Sequence, residues 1–405
     1  MNHFNIQGIG ADDLAKEFGT PLYVYDGNKI ITQLEKLRQA FQVKVNIKFA
    51  VKALTNISVL SLLKKNGAGA DVVSIQEARL AVLAGFNPKD IMFTPNNVDF
   101  DEIREAVALG TEITLDNLSS LEKFGQAYGF TQPVALRLNP HIMAGGNLKI
   151  STGHKQSKFG ISIQQMPEIL SMVEKYNLQI SGLHIHTGSE IKDVGVFMQM
   201  AEILFGLADQ FAHLKFLDFG GGYKVAYKSS DQVTDLEALG KSLSQALLDY
   251  NQRSGRNIEL RLEPGKFLVS EAGYLITTAT VVKETPSATF IGVNSGLNHL
   301  IRPMMYDAYH EIINASNASG SLFTYTIAGN ICETDNFGVD RQLPKVHEGD
   351  LIIILNAGAY GFTMASNYNS RFKPAEVLIY NGKAKLIRSR DNFDDLVKNQ
   401  ILLDF

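Results

Sequence analysis

The chain has 405 residues, 45% of them hydrophobic and 20% charged, which is the composition of a folded globular protein and excludes a disordered or fibrous one. This length exceeds one ordinary hydrophobic core and suits a large barrel with a smaller second domain. The net charge of −4 gives no electrostatic reason to expect nucleic acid or an anionic membrane as a partner.

Targeting and metal signals are also missing from the sequence. No apolar run approaches the roughly 18 residues that a bilayer-spanning helix needs, and residues 1–19 lack the pattern of a secretory signal. The single cysteine, Cys332, excludes a disulfide framework and a thiolate metal cluster. We therefore expect a cytoplasmic protein that has no membrane partner and no metal site.

Short β-branched runs alternate with amphipathic stretches through the first two thirds of the chain. The runs that predict strands are 45–53, 70–74, 90–94, 112–116, 133–139, 180–187, 214–219 and 258–263. Apolar residues at three- and four-residue spacing predict helices between them, among them 75–86, 100–110, 166–177 and 197–213. Strand–helix alternation predicts parallel pairing, and eight such units within about 240 residues predict an α/β protein with a (β/α)8 barrel of the TIM type.

The pattern changes after about residue 270. Mostly β segments follow without strong helices between them, at 275–282, 289–294, 322–329, 350–358 and 375–388. They predict a second, C-terminal antiparallel β domain, with which we group the early segment at 21–26. The predicted division is 27–270 for the barrel, and 1–26 with 271–405 for the β-rich domain.

Unusual polar residues fall where the predicted barrel strands end. The loops at these strand ends converge on one mouth of a barrel, where the chemistry of such folds takes place. In strand order the residues are Lys52, Asp71–Ser74, Arg137, then His184, His186 and Ser189, then Gly220, Gly221 and Gly222, and finally Glu263, Gly265 and Lys266. Each has a structural explanation when taken alone, but their coincidence at one face indicates a site.

The residue types at this face suit a cofactor that carries an aldehyde, a ring and a phosphate. Lys52 stands in the apolar run KFAVKAL, and desolvation would free its amine for attack on an aldehyde. The three-glycine turn lets backbone N–H groups approach an anion closely, and the imidazole of His186 can cover a ring. Glu263 can keep a pyridine nitrogen protonated, which makes the ring an electron sink for a decarboxylation.

Ordered motifs along the chain then resemble a known family. The blocks are KFAVKAL, GADVVS, STGHKQSKFGI, GLHIHTGSEI, LDFGGGY, LEPGKF, NHLIRPMMY and GNICETDNFGVDRQLP. In this order they resemble the fold-type III pyridoxal-phosphate decarboxylases, and within them the diaminopimelate decarboxylases. The resemblance implies an alanine-racemase-like barrel, pyridoxal 5'-phosphate as cofactor, and conversion of meso-2,6-diaminopimelate to L-lysine and CO2, the last step of lysine biosynthesis.

The resemblance also implies a role for each matching residue. Lys52 would form the covalent link to the cofactor aldehyde, and Cys332 would act with it in catalysis. The other cofactor-binding residues would be His186, Ser189, Gly220, Gly221, Gly222, Glu263, Gly265 and Tyr360. The substrate would be bound by Lys266, Arg302, Tyr306, Glu333 and Tyr360. In this family the Cys–Glu segment enters the site from the other subunit, which implies a homodimer with its active sites at the interface.

The chain departs from the family pattern at two positions. Lys266 stands where the family usually has an arginine that contacts a substrate carboxylate, and a lysine lacks the planar fork of a guanidinium group. Asn294 stands where the family usually has an acid. These departures bear on the choice of substrate and leave the cofactor assignment unchanged.

Three alternatives remain on the sequence alone. The first is a decarboxylase of ornithine, arginine or carboxynorspermidine on the same fold, against which Arg302 and Tyr306 argue. The second is a non-catalytic pyridoxal-phosphate-binding protein, against which Lys52, Cys332 and Glu333 argue. The third is a racemase, which Glu263 disfavours because a strong electron sink promotes decarboxylation.

Overall fold

The computed structural model describes residues 4–144 and 152–405. Contacts divide the chain into two compact units. One comprises residues 31–226 and 231–267, and the other comprises residues 1–30, 227–230 and 268–405. The first residue of the motif STGHKQSKFGI lies outside the described residues.

The chain begins with elements that precede the barrel strands. In order these are β1 (Asn5–Ile6), β2 (Ile9–Gly10), α1 (Ala11–Phe18), β3 (Leu22–Asp26) and α2 (Gly27–Gln39). The two strands of the β1–β2 hairpin pair with each other and with no other strand of the described chain.

Eight parallel strands close into a barrel, as the sequence predicts. They are β4 (Val45–Ala50), β5 (Gly69–Val72), β6 (Ile91–Phe93), β7 (Glu112–Leu115), β8 (Val134–Asn139), β10 (Ile180–His184), β11 (Phe216–Asp218) and β12 (Glu259–Leu262), while β9 (Ile161–Ser162) pairs beside β8. Closure is made by the pairings of β12 with β4 and of β8 with β10. Met92, Ala135 and Phe216 form a buried apolar cluster of these strands.

Helices separate the barrel strands. They are α3 (Ile57–Lys65), α4 (Ile75–Leu83), α5 (Phe100–Leu109), α6 (Leu118–Tyr128), α7 (Met166–Tyr176), α8 (Val194–Ala208) and α9 (Leu236–Ser254). Several begin at a side-chain cap that the sequence supplies, since Asn56, Ser74 and Asn117 each accept a hydrogen bond from a backbone N–H of the first turn. No helix in the described parts of the chain is both long and apolar enough to cross a membrane.

The remaining elements build a mostly antiparallel sheet. They are α10 (Lys266–Val269), β13 (Gly273–Glu284), β14 (Thr289–Val293), α11 (Arg302–Tyr306), β15 (Ile312–Asn314), β16 (Leu322–Ala328), β17 (Asn336–Pro344), β18 (Leu351–Ile354), β19 (Ala375–Tyr380), β20 (Lys383–Arg388) and α12 (Phe393–Val397). The main strand order is β17-β16-β14-β13-β3-β19-β20, with β18 pairing β13 and β15. Apolar residues of β3, β13, β18 and β19 form one core with the β1–α1 segment.

Two strand ends differ from the sequence prediction in ways that move site residues. The first barrel strand ends at Ala50, and residues 51–53 form a single 3-10 turn that holds Lys52. The sixth ends at His184, so His186 lies in the loop beyond it. In both places an apolar residue beyond the last paired residue is still buried, as Val51 and Ile185 are. The apolar run in the sequence is therefore longer than the strand.

Candidate active site

Lys52 and Asp71 meet at the ends of the first two barrel strands. The ammonium Nζ of Lys52 donates to Asp71 Oδ2 over 2.7 Å. Asp71 is buried, whereas the Lys52 side chain is 39% exposed. The Lys52 side chain is thus partly desolvated, as the apolar run predicts, but it lies beside a carboxylate while Val51 and Ala53 are buried in the core.

The three-glycine turn follows the seventh strand and leaves no room for side chains. Gly220 and Gly222 adopt φ values of +62° and +98°, in the region that favours glycine. A Cβ on Gly221 would overlap the backbone carbonyl of Glu263, and one on Gly220 would overlap the His186 ring. The turn therefore presents bare backbone, as close approach to an anion requires.

The imidazole of His186 is held against this turn. Its Nδ1 accepts a hydrogen bond from the backbone N–H of Gly221 over 3.3 Å. Loss of solvent and the nearby cations Arg137 and Lys52 lower the pKa of His186 well below its usual value. The ring is therefore neutral at physiological pH, as a group that stacks on an aromatic ring can be.

Glu263, Asp218 and His184 form a buried trio at the ends of the sixth, seventh and eighth strands. His184 Nε2 lies 3.1 Å from Glu263 Oε2, and Gly220 N–H donates to Asp218 Oδ1 over 2.8 Å. Burial, followed by the charge of Asp71, raises the pKa of Glu263 to about 8. Burial and the charge of Glu263 raise the pKa of Asp218 to about 7, while burial lowers the pKa of His184 to about 4.

Several buried polar atoms at this mouth have no hydrogen-bond partner. They are Asp71 Oδ1, Asp218 Oδ2, Glu263 Oε1 and His184 Nδ1. Buried polar atoms normally find a partner, so the set fits a bound polar group. Together with the bare glycine turn and the Lys52 amine, it fits the ring nitrogen, phosphate and aldehyde of pyridoxal phosphate.

Among the described residues, the buried trio is also the one group of three or more histidine, cysteine or acidic side chains that could hold a metal ion. Its ligand atoms lie within 4.8 Å of one another. Burial raises the pKa of Asp218 to about 7 and that of Glu263 to about 8, so both acids bind a proton readily at this mouth. A trio that shares protons in this way suits a ring nitrogen as its partner.

Lys266 begins α10 directly after Gly265, and both are buried. Its Nζ donates to Glu190 Oε1 over 2.9 Å. Ser189 lies in the loop just before Glu190. The pairing of Lys266 with Glu190 was not expected from the sequence, and no spacing signal could have found it.

Arg302 is the first residue of α11 and is 5% exposed. Its guanidinium lies 5.6 Å from the ring centre of Tyr227 and 6.0 Å from that of Tyr306. Its Nε has no hydrogen-bond partner, and no carboxylate of the described chain forms an ion pair with it. A buried arginine between two aromatic rings is suited to hold an incoming carboxylate.

Cys332 and Glu333 lie on an exposed loop before β17 and share one tyrosine. Tyr368 OH donates to Glu333 Oε1 over 2.8 Å and lies 3.7 Å from Cys332 Sγ. Hydrogen bonds to Glu333 and Cys332 raise the pKa of Tyr368 to about 12. Cys332 Sγ also lies 3.3 Å from Asn369 Oδ1.

The remaining positions of interest belong to the β-rich unit. Tyr360 has φ +54°, a conformation that residues other than glycine seldom adopt. Asn294 Oδ1 accepts from Thr278 N–H over 2.9 Å, while Asn294 Nδ2 donates to Thr20 Oγ1 over 2.9 Å. An acid could not donate in this way, so Asn294 has a structural role in this chain.

Comparisons with known proteins agree with this geometry. Residues 27–270 match the sequence profile of a family described as pyridoxal-dependent decarboxylase, pyridoxal binding domain. The chain is 37% identical over 409 residues to the diaminopimelate decarboxylase of Methanothermobacter thermautotrophicus, an alignment that covers 98% of this chain and 95% of that protein.

Solved structures give the same result. The crystal structure of diaminopimelate decarboxylase from M. jannaschii is similar with a TM-score of 0.91 at 33% identity, covering 99% of this chain and 96% of that one. The Helicobacter pylori diaminopimelate decarboxylase complexed with L-lysine is similar with a TM-score of 0.87 at 33% identity, covering 96% and 98% of the two chains. From its barrel, its strand-end residues and these matches, the chain belongs to the diaminopimelate decarboxylase family of pyridoxal-dependent decarboxylases.

Proposed function

We propose that this protein decarboxylates meso-2,6-diaminopimelate to L-lysine and CO2 with pyridoxal phosphate, as the last step of lysine biosynthesis. The observation that carries the proposal is the buried acid Glu263 at a mouth that also presents Lys52 and a bare glycine turn. Such an acid is what separates a decarboxylating site from one that leaves the ring nitrogen unprotonated. The near full-length match to diaminopimelate decarboxylases supports the substrate.

The residues of the mouth would hold the cofactor in a defined way. Lys52 Nζ would bind the aldehyde, the Gly220–Gly222 turn with Gly265 and Tyr360 would bind the phosphate, and His186 with Ser189 would cover the ring. Glu263 would pair with the ring nitrogen. When bound, the cofactor supplies an electron sink for the bond that releases CO2.

The chain's own groups then manage charge and protons. Asp71 accepts a hydrogen bond from the ammonium of Lys52 over 2.7 Å and would so place this amine for the cofactor aldehyde. Because burial raises the pKa of Glu263 to about 8, this acid has a high proton affinity and would share one proton with the ring nitrogen. Cys332 Sγ or Lys52 Nζ would supply the proton that takes the place of CO2 on the α-carbon, and Lys52 would serve again in product release.

Substrate choice depends on the end of the molecule that does not react. Diaminopimelate carries an ammonium and a carboxylate at that end, whereas ornithine carries only the ammonium. Arg302 can hold the distal carboxylate with Tyr306 beside it, and Glu333 can pair with the distal ammonium. Lys266 and Tyr360 complete the proposed substrate contacts.

The proposed assembly is a homodimer whose sites lie at the interface, with Cys332 and Glu333 provided by the other subunit. Mixing inactive Lys52→Ala and Cys332→Ala subunits tests it. Shared sites would return about one quarter of wild-type activity, because half of the dimers are mixed and each has one complete site. Sites built within a single chain would return none.

We place the enzyme in the cytoplasm, where amino-acid biosynthesis supplies its substrate.

Substrate profiling tests the function. Purified protein with pyridoxal phosphate receives meso-diaminopimelate, ornithine, arginine or lysine separately, and CO2 release is followed. Release from diaminopimelate alone, with lysine as product, is expected. Release from another amino acid would overturn the substrate but keep the chemistry, and no release despite bound cofactor would favour a non-catalytic binding protein.

A further inference from the structure

Glu190 lies between two lysines at the mouth of the barrel. Its Oε1 accepts a hydrogen bond from Lys266 Nζ over 2.9 Å, and its Oε2 accepts one from Lys224 Nζ over 3.0 Å. The three side chains are 22%, 8% and 20% exposed respectively. Two ammonium groups facing one carboxylate leave a net charge of +1 in this largely enclosed cluster, which we call the Glu190 cluster.

The cluster joins three loops that form the proposed cofactor pocket. Glu190 directly follows Ser189, Lys266 directly follows Gly265, and Lys224 stands two residues after Gly222. Its members therefore come from the loops after the sixth, seventh and eighth barrel strands.

The backbone at Glu190 is held in an unusual conformation. Its φ is +65°, which a residue with a side chain adopts only where its surroundings impose it. The next residue supplies that constraint, because Ile191 N–H donates to Gly222 O over 2.9 Å and Ile191 O accepts from Thr234 Oγ1 over 2.6 Å. The backbone that positions the Glu190 carboxylate is therefore held in place by these hydrogen bonds.

Glu190 is ionised at neutral pH, and it uses only one of the hydrogens of the Lys266 ammonium. Burial would raise the pKa of Glu190, but the ammonium groups of Lys266 and Lys224 outweigh burial and lower it to about 2. A lysine ammonium has three hydrogens. Glu190 takes one of those on Lys266, and no other hydrogen bond from this Nζ is found within the described residues. Lys266 is thus oriented but still able to bind a second anion.

We propose that Glu190 is a positioning residue that holds Lys266 ready for a substrate carboxylate; this inference rests on the function proposed above. A lysine has a flexible four-carbon stem and loses rotamer freedom when it is ordered. Because Glu190 orders it before the substrate arrives, that loss does not weaken substrate binding. The net charge of +1 matches one carboxylate, whereas the dianionic phosphate has the backbone N–H groups of the glycine turn.

A double-mutant cycle tests the inference. The variants are Glu190→Gln, Lys266→Met and the double variant, with Glu105→Gln as control, since Glu105 makes an ion pair with Arg79 on the exposed helix surface. We measure kcat and KM for diaminopimelate, and the Kd for pyridoxal phosphate by absorbance titration. Glu190→Gln is expected to raise KM about tenfold while kcat stays within about twofold and the cofactor Kd is unchanged. In the Lys266→Met background, Glu190→Gln is expected to change nothing further.

The outcomes distinguish a wrong role for Glu190 from a wrong substrate role for Lys266. If Lys266→Met raises KM but Glu190→Gln acts equally in both backgrounds, Glu190 does not work through Lys266 and only this inference fails. If Lys266→Met leaves KM unchanged, the proposed substrate role of Lys266 fails as well. A weaker cofactor Kd in either single variant would assign the cluster to the phosphate instead. Should Glu190→Gln fold poorly, Glu190→Asp, which withdraws the charge by one methylene, is expected to raise KM in the same direction.

Discussion

Gly221 stands at the tightest point of the proposed phosphate turn. A methyl group there would overlap the backbone carbonyl of Glu263, which cannot move aside cheaply because Glu263 N–H also donates to Gly220 O over 2.7 Å. We expect Gly221→Ala to lower the free energy of unfolding by about 1–3 kcal/mol and to weaken cofactor binding. Urea unfolding and absorbance titration measure the two effects.

The matched control is Gly206→Ala in α8, where an added Cβ meets no atom within 4 Å. Alanine favours a helix interior by up to about 1 kcal/mol over glycine, so this variant should be neutral or slightly more stable. Equal behaviour of the two variants would contradict the account of the turn.

Lys52 is the residue on which the cofactor assignment depends. We expect Lys52→Ala to lose the covalent attachment of the cofactor and to lose at least about 100-fold in kcat, because the amine acts both as nucleophile and in product release. Borohydride reduction followed by mass spectrometry detects the attachment. Lys65→Ala, at an exposed position at the end of α3, should retain both properties. Normal turnover in Lys52→Ala, or a covalent cofactor adduct of this variant without substrate, would contradict the role given to Lys52.

At the scale of elements, the end of the barrel opposite the mouth contains a charge network that joins the first, fourth and eighth strands. Lys48 is 2% exposed, with its Nζ 3.3 Å from Glu112 Oε2, and Arg261 donates to both oxygens of Glu112. Glu112→Gln would leave the buried Lys48 without its counter-charge, whereas Arg261 would keep its ion pair with Glu259. We expect a loss of about 2 kcal/mol in the free energy of unfolding, less than for a fully buried pair because Glu112 is partly exposed.

Urea unfolding at pH 7 checks this value. The exposed ion pair of Arg79 with Glu105 provides the comparison, since Glu105→Gln should change stability by no more than about 0.5 kcal/mol. A similar small change for Glu112→Gln would show that the network contributes nothing beyond an ordinary surface pair.

The sequence predicts the barrel strands well and their ends poorly. Each strand has an apolar run that the barrel buries, so its presence follows from periodicity. Its end depends on where pairing stops, and apolar residues such as Val51 stay buried beyond that point. In the β-rich unit, the sequence does not predict β17, because NFGVDRQLP shows no clear alternation. Among the described residues β17 pairs with β16 alone, and that pairing contains two register shifts.

The candidate site was predictable where chemistry follows strand order and unpredictable where it depends on side-chain partners. Lys52, the glycine turn and Glu263 lie within a few residues after strands whose presence can be predicted from the sequence. The pairing of Lys52 with Asp71 and that of Lys266 with Glu190 depend on which way each side chain points across neighbouring loops. No spacing along the chain encodes that direction.

At the scale of the whole molecule, buried titratable groups set opposite slopes of stability against pH. His184 and His299 have pKa values lowered by burial from 6.5 to about 4, so the stability they contribute is lost as pH falls from 6.5 toward 4. Asp218 and Glu263 have pKa values raised from 3.8 and 4.5 to about 7 and about 8. Their contribution is present at low pH and is lost as pH rises toward 8.

Below pH 6.5 the two slopes largely cancel, and above it only the slope of the acids remains, because the histidines are then neutral in both states. We therefore expect the stability of the cofactor-free protein to be highest at about pH 5 and to fall as pH rises to 8, and urea unfolding from pH 4.5 to pH 8.5 measures the curve. Asp218→Asn should flatten this decline, and His299→Gln should make the decline begin at a lower pH. A steady rise in stability up to pH 8.5 would contradict the raised pKa values of the two acids.

The position of β3 has a consequence for how the chain is made. Leu22–Asp26 pairs on one side with β13 and on the other with β19, which begins at Ala375. At about 5–20 residues per second, a ribosome needs roughly 20–70 s after making β3 to reach β19, its second neighbour. The barrel segments, continuous between residues 31 and 267 apart from four residues, can be completed meanwhile. The edge of β3 thus stays unpaired until β19 has been translated. A chain that is truncated before Ala375 would leave β3 as an exposed edge strand.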